Sequence, residues 1–216
     1  MEKEKFNAIT KKQFTKLSRW YDSAPLRLLY FRKIYGKIIE IVSGKNNYLK
    51  PDYSFLDVAC GTGEVIYRLA GKYPSVNFFG VDFTEAMVEV AAQKNYGFGN
   101  VKIIKADAAK LPFNDKTFDF ILSSDALHHF SEPELAIKEM NRVVKDKGFL
   151  LIVDPSADGK IKRLMINFFG KLLETADRYY SQKDIETLLK KSGFEVESEF
   201  TYYFNNFVFA KNTINN

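Results

Sequence analysis

Apolar and polar positions change their period near residue 53. Before it the spacing is helical, and residues 4–19 and 26–43 read as helices. In the second, Leu28, Phe31, Tyr35, Ile38, Ile39 and Val42 recur on one face, with Arg27, Arg32, Lys33 and Lys37 between them. Pro25 suits a helix start. Gly44 to Pro51 carries turn chemistry. From Tyr53 onward, short apolar runs alternate with amphipathic stretches. Runs 53–58, 76–81, 101–105, 118–123 and 148–153 predict strands, and 64–73, 84–95 and 132–145 predict helices. That alternation predicts a parallel sheet with helices on both faces. Residues 159–178 form an apolar and basic stretch. Ser181 and Asp184 have capping-box spacing and open a helix that Gly193 closes. Then 194–204 and 206–211 read as two strands joined near Asn205-Asn206. So short a connection makes them antiparallel.

The first predicted strand ends in chemistry. Phe55-Leu56-Asp57-Val58-Ala59-Cys60-Gly61-Thr62-Gly63 runs from an apolar strand through an acid into a Gly-X-Gly turn, and Glu64 begins a helix at once. Glycines let a ligand approach the backbone, and a helix start offers free N–H groups, so the turn predicts a nucleotide-like ligand. A dinucleotide fingerprint needs a third glycine. The sixth position is Glu64 counted from Ala59 and Ile66 counted from Gly61, which disfavours nicotinamide and flavin dinucleotides. Gly44-Lys45 is followed by Asn46, which breaks the phosphate-loop pattern. Asp82 closes the second strand, 25 residues after Asp57. A carboxylate there can accept from both hydroxyls of a ribose, and Phe83 offers an apolar surface for a base. Asp107 follows the third strand. Open α/β sheets bind ligands outside the carboxyl ends of their strands, where all three acids fall.

Composition narrows the setting. The 216 residues, 46% hydrophobic, suit one compact domain. A single cysteine excludes an internal disulfide. No run approaches the roughly 20 apolar residues of a membrane span. The charged start Met1-Glu2-Lys3-Glu4-Lys5 lacks the apolar core of a signal peptide. A soluble cytoplasmic protein is the expectation. The net charge of +5 is uneven: residues 1–50 hold 12 Lys/Arg against 4 Asp/Glu, and the remainder holds 20 against 23. Such a basic segment is a solvated helix face, or it meets a polyanion or an anionic membrane surface.

The motifs jointly resemble those of class I S-adenosylmethionine-dependent methyltransferases. Leu56–Gly63 is similar to their first motif and Val81-Asp82-Phe83-Thr84-Glu85-Ala86-Met87 to their second. Asp107–Phe113, Phe118–Ser124 and Arg142–Gly148 continue the match over about residues 50–211. The subgroup it most resembles comprises the ubiquinone/menaquinone-biosynthesis-like small-molecule methyltransferases. The resemblance implies a Rossmann-like α/β fold. Its seven-stranded, mostly parallel sheet would end in an antiparallel hairpin, with helices on both faces. Residues 1–50 would form an N-terminal helical lid, and 51–216 the cofactor-binding domain with a cap insertion at about 156–180. The implied cofactor is S-adenosylmethionine, leaving as S-adenosylhomocysteine.

The resemblance also implies roles. Ala59, Cys60, Gly61 and Gly63 would pass the methionine part of the cofactor, and Asp57 would organise that turn and the amino group. Asp82 would hold the ribose. Phe83 and Met87 would border the adenine, whose edge Asp107 and Ala108 would bond. Ser124 would line the site near the sulfonium. Tyr21, in Tyr21-Asp22, would close over the cofactor. Alanine stands at 59 where the family usually has glycine, which puts a positive φ there in question.

Methyl transfer from a sulfonium is an in-line displacement that depends on positioning and on excluding water. A base is needed only where the acceptor must lose a proton early. His128 and His129, the only histidines, follow the fourth strand and are the candidate catalytic pair, with a purely structural role as the alternative. Asp125 and Tyr21 are lesser candidates. The basic-apolar stretches 26–43 and 159–178 suit a small apolar or amphiphilic acceptor, with possible peripheral membrane association. Alternatives are an RNA methyltransferase using the basic segment as a phosphate track, and a non-catalytic cofactor-binding partner subunit. No separate RNA-binding module is visible, so a nucleic-acid partner is not expected. No metal is implied, and a monomer or homodimer is expected.

Overall fold

In the computed structural model, residues 2–18, 25–44, 48–95, 97–158 and 178–213 are described. Tyr21 and most of the 156–180 insertion lie outside them. The elements in order are α1 (Glu2–Leu17), α2 (Pro25–Val42), β1 (Ser54–Val58), α3 (Glu64–Lys72), β2 (Asn77–Asp82), α4 (Glu85–Gln93), β3 (Val101–Lys105) and β4 (Phe118–Ser124). There follow a short 3₁₀ turn (Leu127–His129), α5 (Pro133–Val143), β5 (Val144–Pro155), α6 (Gln182–Lys191), β6 (Phe194–Tyr202) and β7 (Asn205–Asn212).

The seven strands form one sheet in the order β3-β2-β1-β4-β5-β7-β6. The first five pair in parallel, and β7 runs antiparallel between β5 and β6. Strand side chains alternate between faces, so each central strand feeds two cores. On one face Phe55, Phe78, Phe120 and Leu122 pack against Ile34 and Ile38 of α2 and Val65, Ile66 and Leu69 of α3. On the other, Leu56, Val58, Ile121 and Ile152 pack against Ile137 and Met140 of α5 and Ile185 and Leu189 of α6. Phe55 and Phe120 stack in the first core with centroids 5.4 Å apart. Burying one such ring contributes roughly 1.5–3 kcal/mol. No described helix is long and apolar enough to cross a membrane.

The capping box forms as its spacing predicts: Ser181 Oγ accepts from Asp184 N at 3.1 Å, and Asp184 Oδ2 accepts from Ser181 N at 2.9 Å. Gly193, at φ 87°, follows that helix. Two boundaries differ from expectation. The helix expected over 132–145 stops at Val143, and β5 begins at Val144. Residues 145–148 bulge out with Lys147 at φ 61°, and regular pairing resumes at Phe149. The hairpin turn is not at Asn205-Asn206. Tyr202 pairs with Asn205, which leaves Tyr203-Phe204 as the turn. Asn205 and Asn206 are buried in β7, where Asn205 bonds Tyr30 Oη at 2.6 Å and Asn206 donates to Tyr180 O at 3.1 Å.

Gly80, in the middle of β2, tests the packing. A methyl group there would meet Ile66 Cδ1 at 2.7 Å, Cys60 Sγ at 2.8 Å and Ile103 Cγ1 at 3.2 Å. Overpacking of this kind costs about 1–3 kcal/mol, and each kcal/mol moves the midpoint by roughly 2–4 °C in a chain this long. Gly80→Ala should therefore lower the thermal midpoint measured by circular dichroism, and adding Ile66→Val should restore part of the loss.

Candidate active site

The carboxyl ends of β1, β2, β3 and β4 open into one cleft. Its floor is the turn after β1. Ala59, Gly61 and Gly63 all have positive φ, at 63°, 54° and 76°. Alanine thus takes the left-handed conformation that its side chain put in question. Cys60 N donates to Val81 O and Gly63 N to Cys60 O, both at 2.9 Å, which folds the turn back on β2. A methyl group on Gly63 would meet Tyr67 Cε2 at 2.9 Å, whereas one on Gly61 would meet nothing. Gly61 therefore faces the open cleft. Gly63 is the N-cap of α3 and offers no side chain, so backbone N–H groups of the first turn stay available to an anionic or polar ligand.

Asp82 ties this floor to its neighbour. Its Oδ2 accepts from Gly61 N at 2.9 Å and its Oδ1 from Thr84 N at 2.8 Å. Thr84 is the N-cap of α4. The carboxylate, with about four lone-pair sites, keeps capacity to accept from a hydroxyl. Burial raises the Asp82 carboxyl above its ordinary range, and the bonds from Thr84 and Gly61 oppose that rise. Asp57, 2% exposed, has no hydrogen-bond partner on Oδ1 among the described residues. Burial, and then the nearby Asp82 charge, push its carboxyl well up. Two buried acids beside an open cleft favour a cationic ligand. The Cys60 thiol is pushed up by burial, Asp57 and Asp82, so it stays protonated and packs against Gly80.

Asp107 turns on itself, its Oδ1 accepting from Ala109 N at 2.9 Å. The loop it opens is held from α5. Glu139 Oε2 accepts from Leu111 N at 2.9 Å, and Arg142 donates to the Leu111 and Phe113 carbonyls at 3.0 and 2.8 Å. Arg142 also grips both oxygens of Glu139 at 2.8 Å, which lowers that carboxyl. The sequence marks Arg142 only as the start of the Arg142–Gly148 motif and does not mark Glu139, because their loop partners lie 28 to 31 positions away.

Of the expected residues, Asp57, Ala59, Cys60, Gly61, Asp82, Phe83, Met87, Asp107, Ala108 and Ser124 all line the cleft. Gly63 shapes its floor, and Tyr21 lies outside the described residues. The two histidines part company. His129 lines the cleft, with Phe14 of α1 edge-on to its ring at 4.9 Å. His128 is buried, 2.9 Å from Asp154 Oδ1 through Nδ1. That oxygen also accepts from Ala126 N and Leu127 N at 3.1 and 3.0 Å, so Asp154 anchors the whole 3₁₀ turn. Asp125, just before it, lines the cleft at φ 55°. Sequence reasoning missed Asn7, Thr10 and Phe14, which bring α1 over the cleft, as well as Tyr35 and Thr84. Thr84 had a visible signal, an N-cap type directly before a helix.

Residues 49–205 match the family model of a methyltransferase domain. The demethylmenaquinone methyltransferase of Staphylococcus aureus is 38% identical over 102 residues, 47% of this chain and 42% of that protein. The chain thus matches about two-fifths of that relative's length. A putative methyltransferase of Bacillus halodurans, 30% identical, superposes with a TM-score of 0.67 over 77% of this chain and 71% of its own. The fold recurs in a SAM-dependent methyltransferase of Aquifex aeolicus, at 23% identity and a TM-score of 0.69, over 92% and 97% of the two chains. The cofactor is S-adenosylmethionine. The site fits it: Asp57 is a buried acid with no hydrogen-bond partner on Oδ1 among the described residues, free to accept from a cationic group, and the cradle at Gly61 leaves room for close backbone approach.

The ligand-free chain should reveal the Asp57 charge. Its folded carboxyl titrates above the unfolded one, so the native state holds more protons. Stability therefore falls as pH rises from the ordinary carboxylate range through the raised value. Asp57→Asn should unfold at a higher temperature than the parent at pH 8, by roughly 2–4 °C per kcal/mol recovered, with the gap closing near pH 4. In calorimetry the same variant should bind S-adenosylmethionine more weakly.

Proposed function

The chain belongs to the methyltransferase domain family, and on that premise we propose that it methylates a small amphiphilic acceptor with a ring hydroxyl of the quinol type. The observation that carries this reading is His129 in the same cleft as Asp57 and Asp82, under an apolar wall formed by Phe14 and Tyr35. The name of the Staphylococcus aureus relative supports a quinone-like acceptor.

S-adenosylmethionine, when bound, supplies an activated methyl group. The rest falls to the chain. Asp57 would accept from the cofactor's cationic amino group, and Asp82 would accept from its ribose while holding the Gly61 turn in place. Asp107 and Ala108 would hold the adenine edge, and Phe83 and Met87 would border the ring. Helix α1 would exclude water through Phe14. His129 accepts the acceptor's hydroxyl proton as the oxygen or the adjacent ring carbon attacks. His128 is a positioning residue. Its Nδ1 lies against Asp154 Oδ1, and Asp154 holds the turn that presents His129. Proton removal of this kind contributes about 10²–10⁴-fold.

His129→Gln should lower kcat toward a hydroxylated naphthoquinol by about 10²–10⁴-fold, with cofactor affinity in calorimetry unchanged. Turnover equal to the parent would remove His129 from the mechanism. If methyl transfer to RNA exceeded transfer to every amphiphilic phenol tried, the acceptor reading itself would fall.

A further inference from the structure

The β6–β7 turn spans two residues, Tyr203 and Phe204, at φ 45° and 68°. Both central positions are left-handed, as in the tight hairpin turn that favours Asn-Gly. Bulky side chains there carry strain of the kind that persists at functional positions. Asn205-Asn206, which suit such a turn, follow directly, yet they are buried in β7. The chain thus passes over the easier turn and places two aromatic rings outside, 48% and 55% exposed.

The surroundings extend this feature. Asn205 pairs with Pro155, so the turn sits at the carboxyl end of β5, the edge of the sheet that carries the cofactor cleft. Tyr30 of α2 bonds Asn205, which docks α2 beside the hairpin. Leu29, 64% exposed, and Lys33 lie four apart on one side of that helix. Lys33 Nζ stands 6.0 Å from the Tyr203 ring centroid, and Lys37 Nζ 6.0 and 5.8 Å from those of Phe200 and Tyr202. Phe200 is itself 37% exposed. Exposed apolar rings rimmed by lysines form one patch, and those lysines belong to the N-terminal segment that holds the excess positive charge.

We infer that this patch seats the protein on an anionic lipid surface, with Tyr203 and Phe204 in the interface and Lys33 and Lys37 facing the headgroups. Amphipathic rings settle at the headgroup level, and basic residues beside them add attraction to anionic lipid. The orientation turns the cleft edge toward the bilayer, where an amphiphilic acceptor resides. The inference rests on that acceptor reading for its use, though its geometry does not.

Co-sedimentation of the full chain with phosphatidylcholine vesicles, and with vesicles roughly one-third phosphatidylglycerol, tests it. Binding should favour the anionic vesicles and fall with salt. The double substitution Tyr203→Asn, Phe204→Gly suits the turn, so it should fold at least as stably, keep its affinity for S-adenosylmethionine and lose about tenfold in vesicle partition. Lys33→Glu and Lys37→Glu should each cost roughly fivefold. Parent protein that stays in the supernatant, or a double variant that sediments like the parent, would overturn the inference. So would a double variant whose main change is a lower sedimenting mass, since a second copy would then cover the patch. Failure to methylate amphiphilic phenols in detergent, with vesicle binding intact, would overturn the acceptor reading alone.

Discussion

A single carboxylate sets the geometry on which the site depends. Asp82 ends β2 and accepts from Gly61 N in the turn after β1 and from Thr84 N at the start of α4. Two neighbouring βα turns are thereby locked to one residue. The lock explains why alanine can stand at 59. With Cys60 N bonded to Val81 O on one side and Gly61 N bonded to Asp82 on the other, the backbone at 59 has little freedom. The left-handed penalty of one small side chain is absorbed by that frame.

Strain is distributed unevenly over the sheet. Outside glycine, positive φ occurs at seven described residues. Asp52, Lys116 and Lys147 stand at the amino edge, in polar turns. Ala59, Asp125, Tyr203 and Phe204 stand at the carboxyl edge, and three of these four are residues that rarely adopt it. Asp125 N is held by Val153 O at 2.7 Å, so its conformation, too, is imposed by the neighbouring strand. The edge that binds ligand is therefore the edge where the backbone is least relaxed, while the buried strands behind it are regular.

What the sequence made legible was local. The Asp57–Gly63 turn, the acids at 82 and 107 and the Ser181–Asp184 box each announce themselves within a few residues, because strand, turn and cap obey short-range rules. Contacts over long separations were not legible. Helical spacing in α1 says that one face is buried, not that Phe14 meets His129, 115 positions away. The hairpin is a sharper case. Turn propensity favours Asn205-Asn206, but their amides satisfy Tyr30 Oη and Tyr180 O in a buried setting. Leaving buried polar groups unpaired costs about 1–3 kcal/mol each, enough to offset strained φ at Tyr203 and Phe204. His128 and His129 are adjacent, so only the position of Asp154 decides which imidazole reaches the cleft.

These features couple binding to folding. A buried acid lacking a partner on one oxygen, Asp57, destabilises the ligand-free chain, and a cation placed beside it removes that penalty. Ligand that binds only the native state adds RT ln(1 + [L]/Kd), about 2.7 kcal/mol at a hundredfold excess over Kd. The buried acid that weakens the empty fold is thus the feature through which an occupant can add most to its stability, so the cleft is shaped for a bound state more than for an empty one.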